Sequence, residues 1–151
     1  KKIFKILKER LLILRITNLI GIKNSSRRNI HTLFIDHFFN NVKKGYIFEN
    51  KNIYKDFLSV YQFSNIINAL IKKKSYGIFN ISSGKKIYLK KIISWLNHYN
   101  SHKKKLKFLK NIDQESFYLN NSKVLRETKL KISLINLEKD CKRISKLFFK
   151  K

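Results

Sequence analysis

Short aliphatic runs alternate with amphipathic stretches along almost the whole chain, and this alternation restricts the possible folds more than any other feature. A brief, near-continuous apolar run is typical of a buried strand, whereas apolar residues three or four positions apart mark one face of a helix. The predicted strands are residues 11–20, 46–48, 57–60, 77–81 and 106–109. Strands that alternate with helices favour parallel pairing, so the sequence predicts an α/β fold.

Apolar spacing between and after these strands predicts five helices. They are residues 30–42, 63–70, 89–96 and 122–128, followed by a terminal helix with Leu137, Cys141, Ile144 and Phe148 on one face. Ser64 lies close to the position where a capping residue would begin the second of these helices. Its length of 151 residues fits one ordinary domain or a part of a larger one, and the chain shows no internal repeat.

The chain is strongly basic, with 35 Lys and Arg against 9 Asp and Glu and a formal net charge of +26. Only six of the basic residues are arginine, the residue that phosphate and base recognition favours. Because Lys accompanies abundant Ile, Asn, Phe and Tyr, A+T-rich codons also explain the charge. We therefore expect nucleic acid to be an unlikely partner. The alternative is a small Lys-rich nucleic-acid-binding or ribosome-associated protein that uses Phe38, Tyr46 and Phe48.

Several other classes are excluded or disfavoured by the composition. One cysteine rules out a disulfide framework, and the longest apolar run, interrupted by Arg15 and Asn18, is too short to cross a membrane. No signal-peptide pattern opens the chain, so we expect a cytoplasmic protein without a membrane partner. The sequence has no Met and opens inside the helical pattern of residues 1–8. This predicts a fragment, or a processed or pseudogene product, that lacks an N-terminal part.

Four stretches form an ordered set of motifs. Residues 14–21 read LRITNLIG, and residues 55–60 read KDFLSV. Residues 77–84 read GIFNISSG, and residues 120–123 read NNSK. In order and spacing they resemble L-R-x-x-N-x-Y-G, R-D-F-I-x-V-x-D, G-x-Y-N-I-G-x-G and D-x-S-K of the C-terminal half of extended short-chain dehydrogenase/reductases. This is the NAD-dependent epimerase/dehydratase family that acts on nucleotide sugars.

The resemblance implies a division of labour between two halves of a parent enzyme. The whole chain, residues 1–151, would be the C-terminal, substrate-binding part of a Rossmann-like extended short-chain dehydrogenase, with its small substrate-binding α/β subdomain. The missing N-terminal half would hold NAD or NADP and supply the catalytic Tyr-x-x-x-Lys. This fragment alone would bind no cofactor and be inactive. The implied partner is a nucleoside diphosphate sugar, and the resemblance allows a homodimer for the parent.

The resemblance also nominates substrate-binding residues. Asn18 matches the family's Asn that contacts the diphosphate or sugar, although its amide could instead satisfy loop backbone. Lys55 stands where the family has the Arg that grips the diphosphate, so it would keep the charge but lose the bidentate fork. Arg27 and Arg28 could also reach phosphate or form an exposed loop pair, and Asn80 could bond the backbone at a turn.

Three further positions have mainly structural interpretations. Asp56 beside Lys55 is interpreted as structural rather than catalytic. Ser82 replaces the family's Gly and Gln62 its Asp, which puts a tight turn and a supporting hydrogen bond in doubt. No set of three metal ligands has the spacing of a metal site, so no metal is predicted.

Overall fold

The computed structural model describes residues 11–21, 33–48, 52–101, 107–109 and 115–150. Its strands are β1 (Leu12–Ile16), β2 (Asn18–Ile20), β3 (Tyr46–Phe48), β4 (Tyr54–Lys55), β5 (Phe57–Ser59), β6 (Gly77–Ile81), β7 (Ile87–Tyr88) and β8 (Lys107–Leu109). Its helices are α1 (Leu33–Lys43), α2 (Val60–Lys72), α3 (Leu89–Leu96), α4 (Ser122–Thr128) and α5 (Leu134–Phe149). None of the helices in these ranges combines the length and apolar character needed to cross a bilayer.

The strands pair mostly in parallel, as the alternation with helices predicts. β1 pairs with β6 in a register that places Leu12 opposite Gly77. β2 pairs with β5, and β3 pairs with β8, both in parallel. β4 and β7 form the one antiparallel pair found among the described residues. The α/β prediction is confirmed, with the sheet divided into short two-stranded pieces.

The predicted single strand at residues 11–20 is two strands that pair with different partners. The change comes at Thr17, whose backbone N–H still donates to the carbonyl of Ile81, 3.1 Å away, beyond the last residue of β1. The Thr17 hydroxyl donates instead to the carbonyl of Asp56, 2.7 Å away, beside β5. The apolar pattern continues through the break because both halves face a core. For this reason hydrophobicity alone does not reveal the change of partner.

Helix α2 begins earlier than its apolar stripe predicts. Ser59 is the N-cap, and its hydroxyl accepts a hydrogen bond from the backbone N–H of Gln62 over 3.2 Å. Val60, expected to end a strand, is therefore the first residue of the helix. The prediction of a cap near Ser64 is wrong, because the Ser64 hydroxyl donates back to the carbonyl of Val60 within the helix.

Two apolar clusters cover the two sides of the strand pieces. One is built around α1, α3 and α5 with Phe57 and Leu96 inside it. The other joins α2 and α4 to β6, with Phe79 and Val124 at its centre. Phe38 belongs to the first cluster and is only 5% exposed. The hypothesis that Phe38 offers a ring to nucleic acid is therefore wrong, while the side chain of Phe48 lies outside the described set.

Cys141 is fully buried on the apolar face of α5, as predicted. Burial, with a smaller contribution from Asp140, raises the pKa of its thiol well above the ordinary range. Since the thiolate is the nucleophile, we expect a water-soluble maleimide to leave Cys141 unlabelled in the folded protein and to label it after denaturation. Leu147→Cys, at an exposed position of the same helix, is the positive control. Rapid labelling of native Cys141 would contradict this packing.

Candidate functional site

The carboxylate of Asp56 is the centre of a hydrogen-bond cluster that ties three segments together. Asp56 is fully buried between β4 and β5. Its Oδ1 accepts from the backbone N–H and the hydroxyl of Ser83, over 2.8 and 2.7 Å. Its Oδ2 accepts from the backbone N–H groups of Gly84 and Leu119, over 3.1 and 3.3 Å. With two bonds to each oxygen, Asp56 holds the loop after β6 and the segment before α4 in place.

The backbone carbonyl of Asp56 organises the other side of the cluster. It accepts hydrogen bonds from the Thr17 hydroxyl and from Nδ2 of Asn18, 3.0 Å away. Asn18 lies opposite Phe57 in the β2–β5 pair and is half-buried. Its amide nitrogen is therefore used in a hydrogen bond to the backbone of β5's neighbour Asp56. The amide oxygen points the other way on the same planar group and can accept a hydrogen bond.

Lys55 precedes Asp56 and lies in β4, opposite Ile87 of β7. The side chain is half-buried, and its ammonium lies 5.7 Å from the ring centroid of Phe117. A cation over an aromatic ring is weakly attracted to it, which keeps the ammonium beside this segment while leaving its N–H donors available. Phe117 was not among the residues predicted from sequence. The one sequence signal for Phe117 is its position shortly before the NNSK motif at residues 120–123.

The side-chain amides of Asn80 in β6 and of Asn121 before α4 also donate to backbone carbonyls. Nδ2 of Asn80 donates to the carbonyl of Asn120 over 2.8 Å, and Nδ2 of Asn121 donates to the carbonyl of Ser82 over 3.0 Å. These two hydrogen bonds connect the end of β6 to the start of α4. Ser82 fits here without a positive φ, and its hydroxyl donates to the carbonyl of Leu119.

The other departure from the family motif is also accommodated. The buried side chain of Gln62 uses its Oε1 to accept from the hydroxyl of Ser59, 3.3 Å away. Its backbone N–H donates to the same hydroxyl. Gln62 thus takes part in the capping of α2.

The structure describes three of the five nominated residues. Asn18 donates to the Asp56 carbonyl, Lys55 directly precedes Asp56, and Asn80 lies in the strand that leads into the loop held by the Asp56 carboxylate. Arg27 and Arg28 lie outside the described residues. Across the described ranges, no group of three or more His, Cys, Asp or Glu side chains is placed to hold a metal ion.

Two cavities lie elsewhere, between α2 and the end of the chain. The larger, about 490 Å³, is lined by residues that include Tyr61, Asp140 and Arg143. The smaller, about 170 Å³, lies beside it under the segment before α5. Neither lining includes Asn18, Lys55 or Asn80. The cluster around Asp56 is thus separate from both cavities, and its residues Thr17, Asp56 and Ser83 are buried.

Asp140 in the larger cavity gives a pH-dependent prediction. Desolvation raises the pKa of its half-buried carboxyl, and the charge of Arg143 opposes that rise only in part. A folded-state pKa above the unfolded value favours folding below the unfolded pKa, and this contribution is lost as pH rises through the folded pKa. We therefore expect Asp140→Asn to raise the thermal midpoint at pH 7, with the difference disappearing in acid. A variant less stable than the parent at pH 7 would contradict this.

Comparison with known proteins places the fold. No family model and no curated protein sequence matches the chain. Among solved structures, UDP-N-acetylglucosamine 4-epimerase from Bacillus cereus matches with a TM-score of 0.70 and 21% identity, covering 97% of this chain and 51% of that chain. The corresponding enzyme from Methanobrevibacter ruminantium M1, solved with UDP-N-acetylmuramic acid, has a TM-score of 0.72 and 16% identity, covering 99% of this chain and 50% of that chain. The dTDP-glucose 4,6-dehydratase from Bacillus anthracis, solved with NAD, has a TM-score of 0.68 and 14% identity, covering 97% of this chain and 47% of that chain.

The likeness covers nearly all of this chain and about half of each solved structure. At this level of identity it shows the fold, which is that of one half of Rossmann-like epimerases and dehydratases. The predicted fold class and the structural resemblance to these enzymes are confirmed.

Proposed function

We propose that this chain is the C-terminal, substrate-binding portion of an NAD(P)-dependent nucleotide-sugar epimerase/dehydratase, a member of the extended short-chain dehydrogenase/reductases. One observation carries the proposal. Within a fold shared with such enzymes, Asn18 donates to the Asp56 carbonyl and Lys55 directly precedes Asp56. Asn18 at the start of β2 and Lys55 in β4 thus approach the same short stretch of backbone from distant parts of the chain, which supports a ligand site there.

The ligand chemistry follows from these side chains. The Lys55 ammonium would neutralise a diphosphate, as a point charge rather than as a bidentate fork. The amide oxygen of Asn18 would accept a hydrogen bond from a sugar or ribose hydroxyl, while its nitrogen stays on the Asp56 carbonyl. Asn80 would act through its backbone bond, keeping the β6 loop in place beside the ligand.

A dinucleotide would be held by sequence outside this chain. The four glycines, at positions 21, 45, 77 and 84, do not have the G-x-G-x-x-G spacing that brings backbone close to a pyrophosphate. When bound, NAD or NADP supplies hydride transfer. The contribution of this chain would be to bind and orient the sugar, and it would not turn over substrate alone.

Three wider proposals accompany this one. Arg27 and Arg28, in the segment that follows β2, would add phosphate contacts. The complete enzyme would be a cytoplasmic homodimer. Its product would enter polysaccharide biosynthesis.

Calorimetric titration with uridine diphosphate tests the site directly. We expect the chain to bind it and Lys55→Ala to weaken binding roughly tenfold or more, because a charge-assisted hydrogen bond is lost. Lys55→Arg should bind at least as tightly as the parent, since it restores the planar fork. Lys131→Ala, an exposed lysine in the segment between α4 and α5, is the matched control. Equal affinities for the Lys55→Ala variant, the control and the parent would refute the site.

A further inference from the structure

A second surface lies on the opposite face of β4 from Lys55. Tyr54 and Tyr88 are directly opposite each other in the antiparallel β4–β7 pair, so their side chains share one face. Their ring centroids are 5.9 Å apart, and the ring of Tyr118 lies 6.4 Å from that of Tyr54. We call these three residues the tyrosine row.

The row rests on an ordered backbone. The N–H of Phe117 donates to the carbonyl of Tyr54 over 3.3 Å, and the N–H of Tyr54 donates to the hydroxyl of Ser116 over 3.2 Å. The segment before α4 therefore runs along β4, and β7 runs along the other edge. Tyr88 and Tyr118 are 42% and 47% exposed, far more than rings in a core.

Lysines are interleaved with these rings. The Lys86 ammonium lies 5.2 Å from the Tyr54 ring centroid and 5.4 Å from that of Tyr118, so it sits between the two. The Lys90 ammonium lies 5.7 Å from the ring of Tyr88. The rings meet at 73° and 58°, so they are not stacked face to face on one another.

The charge around the row is predominantly positive. Residues 52–56, 85–91 and 115–118 contain lysines 85, 86, 90 and 91, besides Lys55 on the other face of β4, and their carboxylates are Asp56 and Glu115. Asp56 is buried and its oxygens are occupied, so Glu115 is the exposed carboxylate of these segments. A second copy of this chain would bring like charges together, whereas a polyanion would be attracted.

We propose that the tyrosine row and Lys86 form a docking surface for single-stranded nucleic acid. Successive bases stack on exposed aromatic rings without sequence preference, and ammonium groups between the rings meet the phosphates. This surface is distinct from the proposed nucleotide-sugar site because neighbouring residues of a strand point to opposite faces. The sequence made nucleic acid an unlikely partner, which this proposal reverses, and the alternative named Phe38, Tyr46 and Phe48, of which Phe38 is in the core. The structure assigns the aromatic surface to other residues.

Fluorescence anisotropy with a labelled single-stranded oligothymidylate, measured over a series of salt concentrations, tests the proposal. We expect Tyr118→Ala and Tyr88→Leu each to weaken binding roughly tenfold, and Tyr118→Phe to retain it. Lys86→Gln should reduce the slope of log affinity against log salt by about 0.7, the value for one phosphate contact on a single strand. A duplex of the same length should bind more weakly, since its bases are already stacked.

Matched controls separate this surface from general positive charge. Tyr76→Ala removes a tyrosine that is 56% exposed elsewhere on the molecule, and Lys131→Gln removes one exposed charge. Both should leave oligonucleotide affinity near that of the parent. Circular dichroism verifies that each variant is folded. The proposal is overturned if the chain does not bind the oligonucleotide, if the duplex binds as well, or if the controls lose as much affinity as the row variants.

Discussion

Asp56→Ala is expected to destabilise the protein by about 4 kcal/mol or more, a large part of the stability of an ordinary domain. The substitution removes both oxygens from the cluster and leaves the donors of Ser83, Gly84 and Leu119 without their acceptor. Each buried donor left unsatisfied costs about 1–3 kcal/mol. The change in unfolding free energy is measured by urea denaturation followed by circular dichroism.

A graded substitution shows whether the cluster acts as described. Asp56→Asn can keep the oxygen that serves Ser83, but it turns an amide NH₂ toward the N–H groups of Gly84 and Leu119. We therefore expect it to cost roughly half as much as Asp56→Ala, or about 2 kcal/mol. Glu115→Gln, which removes an exposed carboxylate, should change stability by less than about 0.5 kcal/mol. If Asp56→Ala were as mild as Glu115→Gln, the cluster would not hold these segments.

Gly84→Ala should be the second most damaging change, with an expected loss of about 3 kcal/mol or more. Gly84 has a φ of +66°, which an L residue with a side chain adopts only with strain. An added Cβ would also lie 2.5 Å from Oδ1 of Asn121. Relief of that contact would displace a nearly buried amide whose nitrogen donates to the carbonyl of Ser82.

Gly45→Ala is the matched control for Gly84→Ala. Gly45 also has a positive φ, of +84°, but a Cβ there would meet no atom within 4 Å. Gly45→Ala should lower the free energy of unfolding by about 1–2 kcal/mol, because an alanine with a positive φ is strained but meets no steric clash there. The difference between the two variants, measured by the same denaturation, isolates the contact with Asn121. Equal losses of stability in the two variants would show that the contact with Asn121 is relieved by a shift that costs no free energy.

Local signals located the elements but not every boundary. The helix at residues 122–128 and the strand at residues 77–81 lie where their apolar patterns predicted. Strands β4 and β7 were missed because two residues cannot display a period. The start of α2 was misplaced because its first turn includes polar Gln62, whose burial depends on Ser59.

The candidate site was predictable only as a set of motifs. The resemblance nominated Asn18, Lys55, Asn80, Arg27 and Arg28, and the structure shows Asn18 bonded to the Asp56 carbonyl and Asn80 bonded to the carbonyl of Asn120. The part played by the Asp56 oxygens could not be read locally, because their donors lie 27 to 63 positions away. Phe117 was missed for the same reason, since its relation to Lys55 spans separate elements.

The sequence by itself determined the α/β class and the positions of the main apolar faces, because these follow from the periodicity of neighbouring residues. The tertiary structure alone decided that one apolar run divides at Thr17 between two strand partners. It alone placed Tyr54 and Tyr88 on the face opposite Lys55, with the ring of Tyr118 beside that of Tyr54. The physical reason is that partner choice and ring placement depend on hydrogen bonds and contacts between segments distant in the chain, which local patterning does not record.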